Sequence, residues 1–296
     1  MKEIVILSGK GGVGKSTIAA SLGTILIEKY NVVLADTDVD APNLALFFDA
    51  VLRERKDISA SEKAFIDYGK CTGCQECVDV CKFSSMLSSN NRPIVIPYTC
   101  EGCGACTIVC PEGAIEIKKV VNGRVNISDR EETLIVSGEL DIGESSSGLI
   151  VDEVKKTAGT EAERLNADLI ITDGPPGIGC PVISSIKGGD YVMAVTEPTP
   201  VALNDLKRLV EVVQYFKIPC GIVINKSDLH QKSRIEIEEF SDEHNLILLS
   251  EIPYDISVAK SIAKARPVVT AYPDASSSLA IRELADKLID IINRPD

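Results

Sequence analysis

The sequence predicts an α/β protein with a doubly wound, mostly parallel sheet that is interrupted by a small cysteine-rich insertion. Three observations support this prediction. Short apolar runs alternate with stretches of helical periodicity, a pattern typical of parallel sheets with helices on both faces. A glycine-rich loop directly follows the first apolar run. Eight of the ten cysteines lie between Cys71 and Cys110, so the insertion differs in composition from the rest of the chain.

The composition of the 296-residue chain excludes several functional classes. Its formal net charge of −13 argues against nucleic acid or an anionic membrane as the main partner, because both require clustered Lys and Arg. No apolar run reaches the ~18 residues of a membrane-spanning helix, and the first residues predict a strand rather than a secretory signal. We therefore expect a cytoplasmic protein without stable membrane anchoring. In that compartment clustered cysteines bind metal rather than form disulfides.

The first 48 residues predict a βαβ unit. Ile4–Leu7 is a β-branched run, Thr17–Lys29 has apolar residues at helical spacing, and Val32–Ala35 is a second buried strand. After about residue 133 the alternation resumes. The predicted strands there are Leu169–Thr172, Tyr191–Val195, Gly221–Ile224 and Leu246–Leu249, and the predicted helices are Leu203–Phe216, Ile235–His244 and Ser278–Asn293. Ser276 or Ser277 is the expected N-cap of the last helix.

The insertion divides the main domain into two parts. Residues 51–65 are polar and of mixed charge, which predicts an exit from the main domain. Asn122-Gly123 predicts a type I′ turn between two short strands. We expect residues 1–62 and 120–296 to form the main domain and residues 63–119 to form the insertion.

The glycine-rich segment from Gly9 to Thr17 matches two phosphate-binding patterns. Gly9, Gly11 and Gly14 satisfy the dinucleotide fingerprint, with Asp36 near the place of its ribose-binding acid. The segment also matches the Walker A loop, which needs a Lys-Ser pair at the start of the helix. A dinucleotide site does not need that pair. In that loop Lys15 reaches the β and γ phosphates and Ser16 binds magnesium. The expected nucleotide ligands are Gly9, Lys10, Gly11, Gly12, Val13, Gly14, Lys15, Ser16 and Thr17.

Acidic residues end two of the predicted strands. Asp36, Asp38 and Asp40 close the second strand, and Asp173 closes the apolar run that begins at Leu169. Asp173 is the Walker B candidate that holds magnesium through water, and the glycines after it permit a loop that senses the γ-phosphate. An aspartate at a strand end also serves as a helix cap or turn residue, which is the alternative for each of them.

Lys10 ahead of Lys15 gives the deviant form of the Walker A loop. With the acidic segments and the Gly-Pro-Pro-Gly that follows Asp173, it makes the chain resemble the MinD/ParA/Mrp superfamily of P-loop ATPases, and within it MinD-type ATPases with an inserted ferredoxin domain. The resemblance covers nearly the whole chain, including residues 196–200 and 252–255. It implies slow, partner-stimulated hydrolysis of ATP to ADP and phosphate by a nucleotide-dependent homodimer. In that dimer Lys10 reaches the partner's phosphates and Asp38 orients the attacking water.

Residues 225–228 are compatible with recognition of either guanine or adenine. Asn225-Lys226-Ser227-Asp228 follows a strand and matches the guanine-reading signature of GTPases, in which the aspartate accepts two hydrogen bonds from guanine. In the MinD-like group the asparagine at the place of Asn225 reads adenine. We favour ATP over GTP. The alternative for Asp228 is an N-cap of the next helix.

The cysteines of the insertion form two copies of one motif. Each has the spacing C-x₂-C-x₂-C-x₃-C of bacterial ferredoxins, in which the fourth cysteine binds the other cluster. We therefore assign one 4Fe-4S cluster to Cys71, Cys74, Cys77 and Cys110, and the second to Cys100, Cys103, Cys106 and Cys81. Structural zinc is the alternative, although zinc prefers two separated cysteine pairs. Lys82 stands where ferredoxins usually have proline, and either raises the potential of that cluster or points to water.

Two cysteines lie outside the insertion. Cys220 heads an apolar strand, so core packing is expected. Cys180 follows Asp173 by seven residues, near the place of a cluster ligand in the nitrogenase iron protein. We expect a small buried residue there, because a second such cysteine is missing.

Three functions fit these motifs. The favoured one is an ATP-gated electron-transfer protein, since eight local ligands hold two clusters tightly. The second is an iron–sulfur cluster carrier or scaffold of the Mrp type. The third is a MinD/ParA-like regulatory or positioning ATPase whose clusters sense redox state. The partner in the first two is a redox protein or a cluster-accepting protein.

Overall fold

The computed structural model describes residues 1–144 and 147–293. It divides into two compact units, a large unit of Met1–Arg55, Val125–Glu139 and Ser147–Asp296, and a small unit of Lys56–Arg124 and Leu140–Ser146. The strands are β1 Lys2–Ser8, β2 Val32–Asp36, β3 Val51–Ile58, β4 Ser61–Ile66, β5 Met86–Ser89, β6 Arg92–Val95, β7 Ile115–Val120, β8 Gly123–Arg130, β9 Thr133–Leu140, β10 Leu169–Pro176, β11 Tyr191–Thr196, β12 Cys220–Asn225 and β13 Ile247–Ile252. The helices are α1 Lys15–Ile27, α2 Leu44–Phe47, α3 Glu76–Val80, α4 Ala105–Val109, α5 Ser147–Arg164, α6 Cys180–Ile186, α7 Pro200–Tyr215, α8 Gln231–Glu243, α9 Ile256–Ile262, α10 Val268–Ala271 and α11 Ser276–Ile292.

The main sheet has nine strands in the order β13-β12-β11-β1-β10-β2-β9-β8-β3. The pairs from β13 to β9 are parallel, which confirms the predicted α/β class with a mostly parallel sheet. Register places Asp173 of β10 opposite both Ile6 of β1 and Asp36 of β2. The carboxyl ends of these three strands therefore meet at one edge, where α/β proteins bind ligands.

Helices cover both faces of this sheet, and successive apolar residues of β1 pack alternately on one face and the other. Ile4 and Ile6 pack in one apolar core with α1, α10 and α11, and Val5 and Leu7 pack in another with α7 and α8. Burial on both faces explains why the central strands are continuous apolar runs. Among the residues that the structure describes, no helix is long and apolar enough to cross a membrane.

The small unit contains two antiparallel strand pairs, β4 with β7 and β5 with β6. Along the chain these elements run β4-α3-β5 and then β6-α4-β7, the βαβ-like order that a bacterial-type ferredoxin insertion is expected to have. The unit begins earlier than the predicted residue 63 and ends later than 119, because residues 56–62 and 120–124 pack with it. Residues 51–65, expected to be an exit from the main domain, form most of β3 and β4. Val51–Asp57 are exposed, so β3 lacks the apolar pattern that would have revealed an edge strand.

Two local predictions are wrong. Asn122-Gly123 is not a hairpin turn, because β7 pairs with β4 while β8 lies in the nine-stranded sheet. Asn122 is instead buried, and its side-chain oxygen accepts the N–H of Ala60 at 2.8 Å. The N-cap of α11 is Ala275 rather than a serine. Asp255 supplies the missing acceptor, since its carboxylate accepts the N–H of Ser277 at 3.2 Å.

Candidate functional site

The phosphate loop connects β1 to α1 at the carboxyl edge of the sheet. Gly14 precedes α1 with a φ of +99°, and Gly12 has a φ of +80°, conformations that L-residues with a side chain rarely adopt. A Cβ on Gly9 would collide with the backbone of Asp205 in α7. Local backbone conformation therefore explains Gly12 and Gly14, and close packing against α7 explains Gly9; the loop ends at the start of α1, where phosphates bind helix N–H groups.

Asp36 and Asp173 lie side by side at this edge but have different surroundings. The Asp36 carboxylate accepts the N–H groups of Asn43 at 2.9 Å and Leu44 at 2.8 Å, which fixes the loop before α2. Burial raises the pKa of Asp36, and the neighbouring Asp173 raises it further. Asp36 therefore serves as a structural acceptor for the loop.

Asp173 is fully buried, and neither of its carboxylate oxygens has a hydrogen-bond partner within residues 1–144 and 147–293. Burial raises its pKa, while the nearby charge of Lys15 opposes that shift. An unsatisfied buried carboxylate is costly unless a ligand completes it. Asp173 and Ser16 are therefore a donor set that fits hydrated magnesium, for which oxygen ligands are preferred.

A cavity of about 670 Å³ opens beside the phosphate loop. The residues that line it include Lys15, Ser16 and Asp38. Burial raises the pKa of Asp38, and the charge of Lys15 opposes the shift. Apolar residues also line the cavity and were not predicted: Ala45, Leu46, Phe47, Ala50, Ile262 and Ala265. They carry no sequence motif, and only the tertiary structure brings the segments around α2 and the end of α9 to one cavity.

Lys10 lies outside the cavity lining and is held by an ion pair. Its ammonium lies 3.1 Å from one carboxylate oxygen of Glu197, whose other oxygen lies 2.8 Å from Lys226. Burial raises the pKa of Glu197, but the hydrogen bonds and charges of the two lysines outweigh it and hold that pKa below its ordinary value. No role was predicted for Glu197 or Lys226, although Glu197 lies in residues 196–200 of the family resemblance and Lys226 lies in the Asn225–Asp228 signature.

The two residues proposed to read the base are engaged elsewhere. Asn225 donates from its side-chain nitrogen to the carbonyl oxygen of Val13 at 2.7 Å and accepts the N–H of Lys226 at 3.0 Å. Asp228 is exposed and accepts the N–H of Tyr254 at 2.7 Å. The N-cap of α8 is His230, not Asp228. Neither Asn225 nor Asp228 lines the cavity at the phosphate loop.

The eight cysteines of the small unit surround two separate cavities. Cys71, Cys74, Cys77 and Cys110 line one, and Cys81, Cys100, Cys103 and Cys106 line the other. These are the two sets that the ferredoxin spacing assigned to separate clusters. No group of three His, Cys, Asp or Glu side chains in the described ranges is arranged to hold a single metal ion.

Backbone N–H groups point at three of the cysteine sulfurs. Ser85 and Ala114 each donate to the Sγ four residues before them, at 3.3 Å to Cys81 and 3.3 Å to Cys110. Burial raises the pKa of the Cys81 thiol, but the N–H groups around it outweigh that effect and lower the pKa below its ordinary value. A third N–H, from Ala64, lies 3.4 Å from Cys100. Such donors stabilise thiolate ligands, so the surroundings fit iron–sulfur clusters.

The two halves of the small unit repeat each other in backbone conformation. A residue in the left-handed region precedes each short helix, Gln75 with a φ of 69° before α3 and Gly104 with a φ of 78° before α4. Each helix ends at an extended cysteine, Cys81 or Cys110. The sequence repeat therefore corresponds to a structural repeat. Lys82 is exposed.

The remaining cysteines differ in accessibility. Cys180 is exposed at the start of α6, so the expectation of a buried residue is wrong. Cys220 packs against the core of α7 and α8, and burial raises the pKa of its thiol to about 12.

Comparison with known proteins agrees with this geometry. Residues 4–268 match the family described as the CobQ/CobB/MinD/ParA nucleotide binding domain. An uncharacterized protein of Methanocaldococcus jannaschii is 36% identical over 98% of this chain and 97% of its own length. An iron-sulfur cluster carrier protein of Pyrococcus horikoshii is 27% identical over 97% of this chain and 85% of its own.

The fold also occurs in solved structures. The septum site-determining protein MinD of Pyrococcus horikoshii, solved with Mg-ADP, superposes with a TM-score of 0.61 at 20% identity, over 99% of both chains. At that identity the likeness shows the fold. The family match spans most of the chain and includes the phosphate loop, Asp36, Asp38 and Asp173. The chain therefore belongs to the CobQ/CobB/MinD/ParA family of nucleotide-binding domains.

Proposed function

We propose that this protein is a MinD-like ATPase that gates electron transfer through two resident 4Fe-4S clusters. The proposal rests on one observation, which is that a single chain combines two kinds of site. A phosphate loop lies beside the unsatisfied carboxylate of Asp173, and two cavities are each lined by four cysteines. In this proposal the large unit binds Mg-ATP as a homodimer, and the small unit passes electrons to a protein partner.

The nucleotide reaction is assigned to charged and hydroxyl side chains in and beside the cavity of about 670 Å³. Lys15 binds the β and γ phosphates, and Ser16 and Asp173 hold the magnesium ion, which neutralises phosphate charge when bound. Asp38 orients the attacking water, and Lys10 completes the site of the second copy. We propose ATP rather than GTP, because the similarly folded MinD of Pyrococcus horikoshii was solved with Mg-ADP.

The cluster assignment follows the two cavities. Cys77, Cys100 and Cys106 are buried, whereas Cys74 and Cys103 are exposed, so each proposed cluster would be partly enclosed by protein and would reach the surface at one ligand. A bound 4Fe-4S cluster supplies one-electron chemistry. Four local ligands for each cluster and N–H donors to the sulfurs favour clusters that stay in place, which supports electron transfer over cluster delivery.

The test is the reduction potential of both clusters in anaerobically purified protein, with and without Mg-ATP. A shift of at least 59 mV, a tenfold change for a one-electron couple, is expected on adding nucleotide. Lys15→Ala is the control; it should keep both clusters but lose the shift. Unchanged potentials in a protein that binds Mg-ATP and holds intact clusters would refute nucleotide-gated electron transfer.

Cluster delivery is the second candidate, favoured by two observations. Relatives are named iron-sulfur cluster carrier proteins, and Cys180 is exposed near the nucleotide edge of the sheet. Carrier function predicts that iron moves from this protein to an apo-acceptor such as an apo-ferredoxin, faster with Mg-ATP and slower in Cys180→Ser. Retention of all iron during such an assay would leave electron transfer as the surviving proposal.

A further inference from the structure

Three charged side chains from distant parts of the chain meet beside the phosphate loop. The Glu197 side chain follows β11 and is 12% exposed. One of its oxygens accepts from Lys10 at 3.1 Å and the other from Lys226 at 2.8 Å. Lys226 also donates to the carbonyl oxygen of Gly12 at 3.3 Å. One carboxylate thus holds two cations, and one of these cations is the lysine that distinguishes the deviant Walker A loop.

The two lysines are not held equally. The side chain of Lys226 is 29% exposed, and its backbone has a φ of +54°, a left-handed conformation that the side-chain oxygen of Asn225 stabilises by accepting the Lys226 N–H. The side chain of Lys10 is 41% exposed and lies in the phosphate loop itself. Lys10 is therefore the cation that can leave the carboxylate more easily.

Departure of Lys10 does not leave Glu197 unpaired. A buried carboxylate that loses its sole cation is strongly destabilised, because its charge is then uncompensated. Here Lys226 stays 2.8 Å from the other oxygen of Glu197. The second cation therefore lowers the free-energy cost of releasing Lys10.

We propose that Glu197 is a positioning residue that retains Lys10 on its own subunit until nucleotide and a second copy draw it away, with Lys226 as the partner that remains. This inference rests on the proposed function, in which Lys10 reaches the phosphates of the other copy in a homodimer. It predicts opposite effects of two substitutions. Without the Glu197 carboxylate, Lys10 is released in advance; without Lys226, Glu197 keeps Lys10 as its remaining cation.

The expected size follows from ion-pair energetics. A half-exposed ion pair changes an equilibrium constant by about two- to fivefold. A homodimer releases two such pairs, so the dimerisation constant should change by about four- to twenty-five-fold.

The experiment is sedimentation velocity of the cluster-loaded full chain under anaerobic conditions, with Mg²⁺ and saturating AMPPNP. Glu197→Gln is expected to strengthen dimerisation and Lys226→Met to weaken it. Glu236→Gln, which removes the same charge from an exposed pair with Lys232, is the control and should change nothing. If Lys10, Glu197 and Lys226 were merely structural, both variants would dimerise more weakly and both would have lower melting temperatures.

Lys10→Ala separates the two possible failures. If the wild type stays monomeric with AMPPNP, or dimerises equally well as Lys10→Ala, the proposed dimer role of Lys10 fails, and this inference fails with it. If dimerisation depends on Lys10 but Glu197→Gln weakens it or leaves it unchanged, the dimer stands and the role of Glu197 is overturned.

Discussion

Substitution of Asn225 by alanine distinguishes a residue that supports the phosphate loop from one that reads the base. The structure shows the first arrangement, because the side-chain nitrogen donates to the carbonyl of Val13 at 2.7 Å and the oxygen accepts the N–H of Lys226. Val13 is buried, so alanine leaves its carbonyl without this donor at a cost of about 1–3 kcal/mol. For the large unit that loss of stability corresponds to a melting temperature lower by roughly 2–12 °C.

The assay compares stability and nucleotide affinity in the same variant. Thermal unfolding of nucleotide-free Asn225→Ala should show the lower melting temperature. Calorimetric titration should show ATP and GTP binding weakened by the same factor, because the loop that binds their shared phosphates is less well ordered. An unchanged melting temperature together with a loss of preference between ATP and GTP would refute the reasoning and restore Asn225 as the base reader.

Three further predictions address other parts of the chain. Cys77→Ser should lose about half of the iron that the wild type binds, whereas Cys180→Ser should retain all of it; iron and sulfide analysis measures both. Asp255→Ala should lower the free energy of unfolding by about 0.5–2 kcal/mol, because it removes the acceptor for N–H groups at the starts of α9 and α11. Burial raises the pKa of Asp255, but these donors outweigh burial and place the pKa well below its usual range. The difference in free energy of unfolding between wild type and variant should therefore be complete above about pH 4 and shrink as the pH falls, which acid unfolding measures. Gln75→Gly should raise the free energy of unfolding in urea by about 0.5–1 kcal/mol, because Gln75 has a left-handed backbone conformation that suits glycine. Gly104→Ala, at the equivalent place in the repeat, should lower it. A change of the same sign in both variants would contradict the left-handed conformation as the cause.

Features that depend on local spacing were predictable from the sequence. The glycines at 12 and 14 follow from the left-handed backbone of a phosphate loop, which a short segment specifies by itself. The two cysteine repeats likewise predicted which residues share a cavity, because each ferredoxin motif has fixed spacing. The central strands were predictable because burial on both faces leaves an apolar run.

Predictions failed where a residue's partner is remote. Asn122-Gly123 has the composition of a hairpin turn, but β7 and β8 pair with strands elsewhere. Ser276 and Ser277 have cap-forming side chains, yet Asp255, some twenty residues earlier, accepts the N–H at the start of α11. Strand β3 was missed because its exposed residues carry no alternation. In each case tertiary pairing outweighs local preference.

The sequence by itself determined the family, the phosphate loop and the grouping of the eight cysteines, since each is encoded by residue types at short, fixed spacing. The tertiary structure alone decided which of these polar groups are already satisfied. Asn225 meets Val13 across 212 residues and Glu197 meets Lys10 across 187, because parallel strands end at a common edge. Asp173, one strand away, is left there without a hydrogen-bond partner in the described part of the chain. A buried polar group must be paired or be completed by a ligand, and only the three-dimensional arrangement shows which of the two applies.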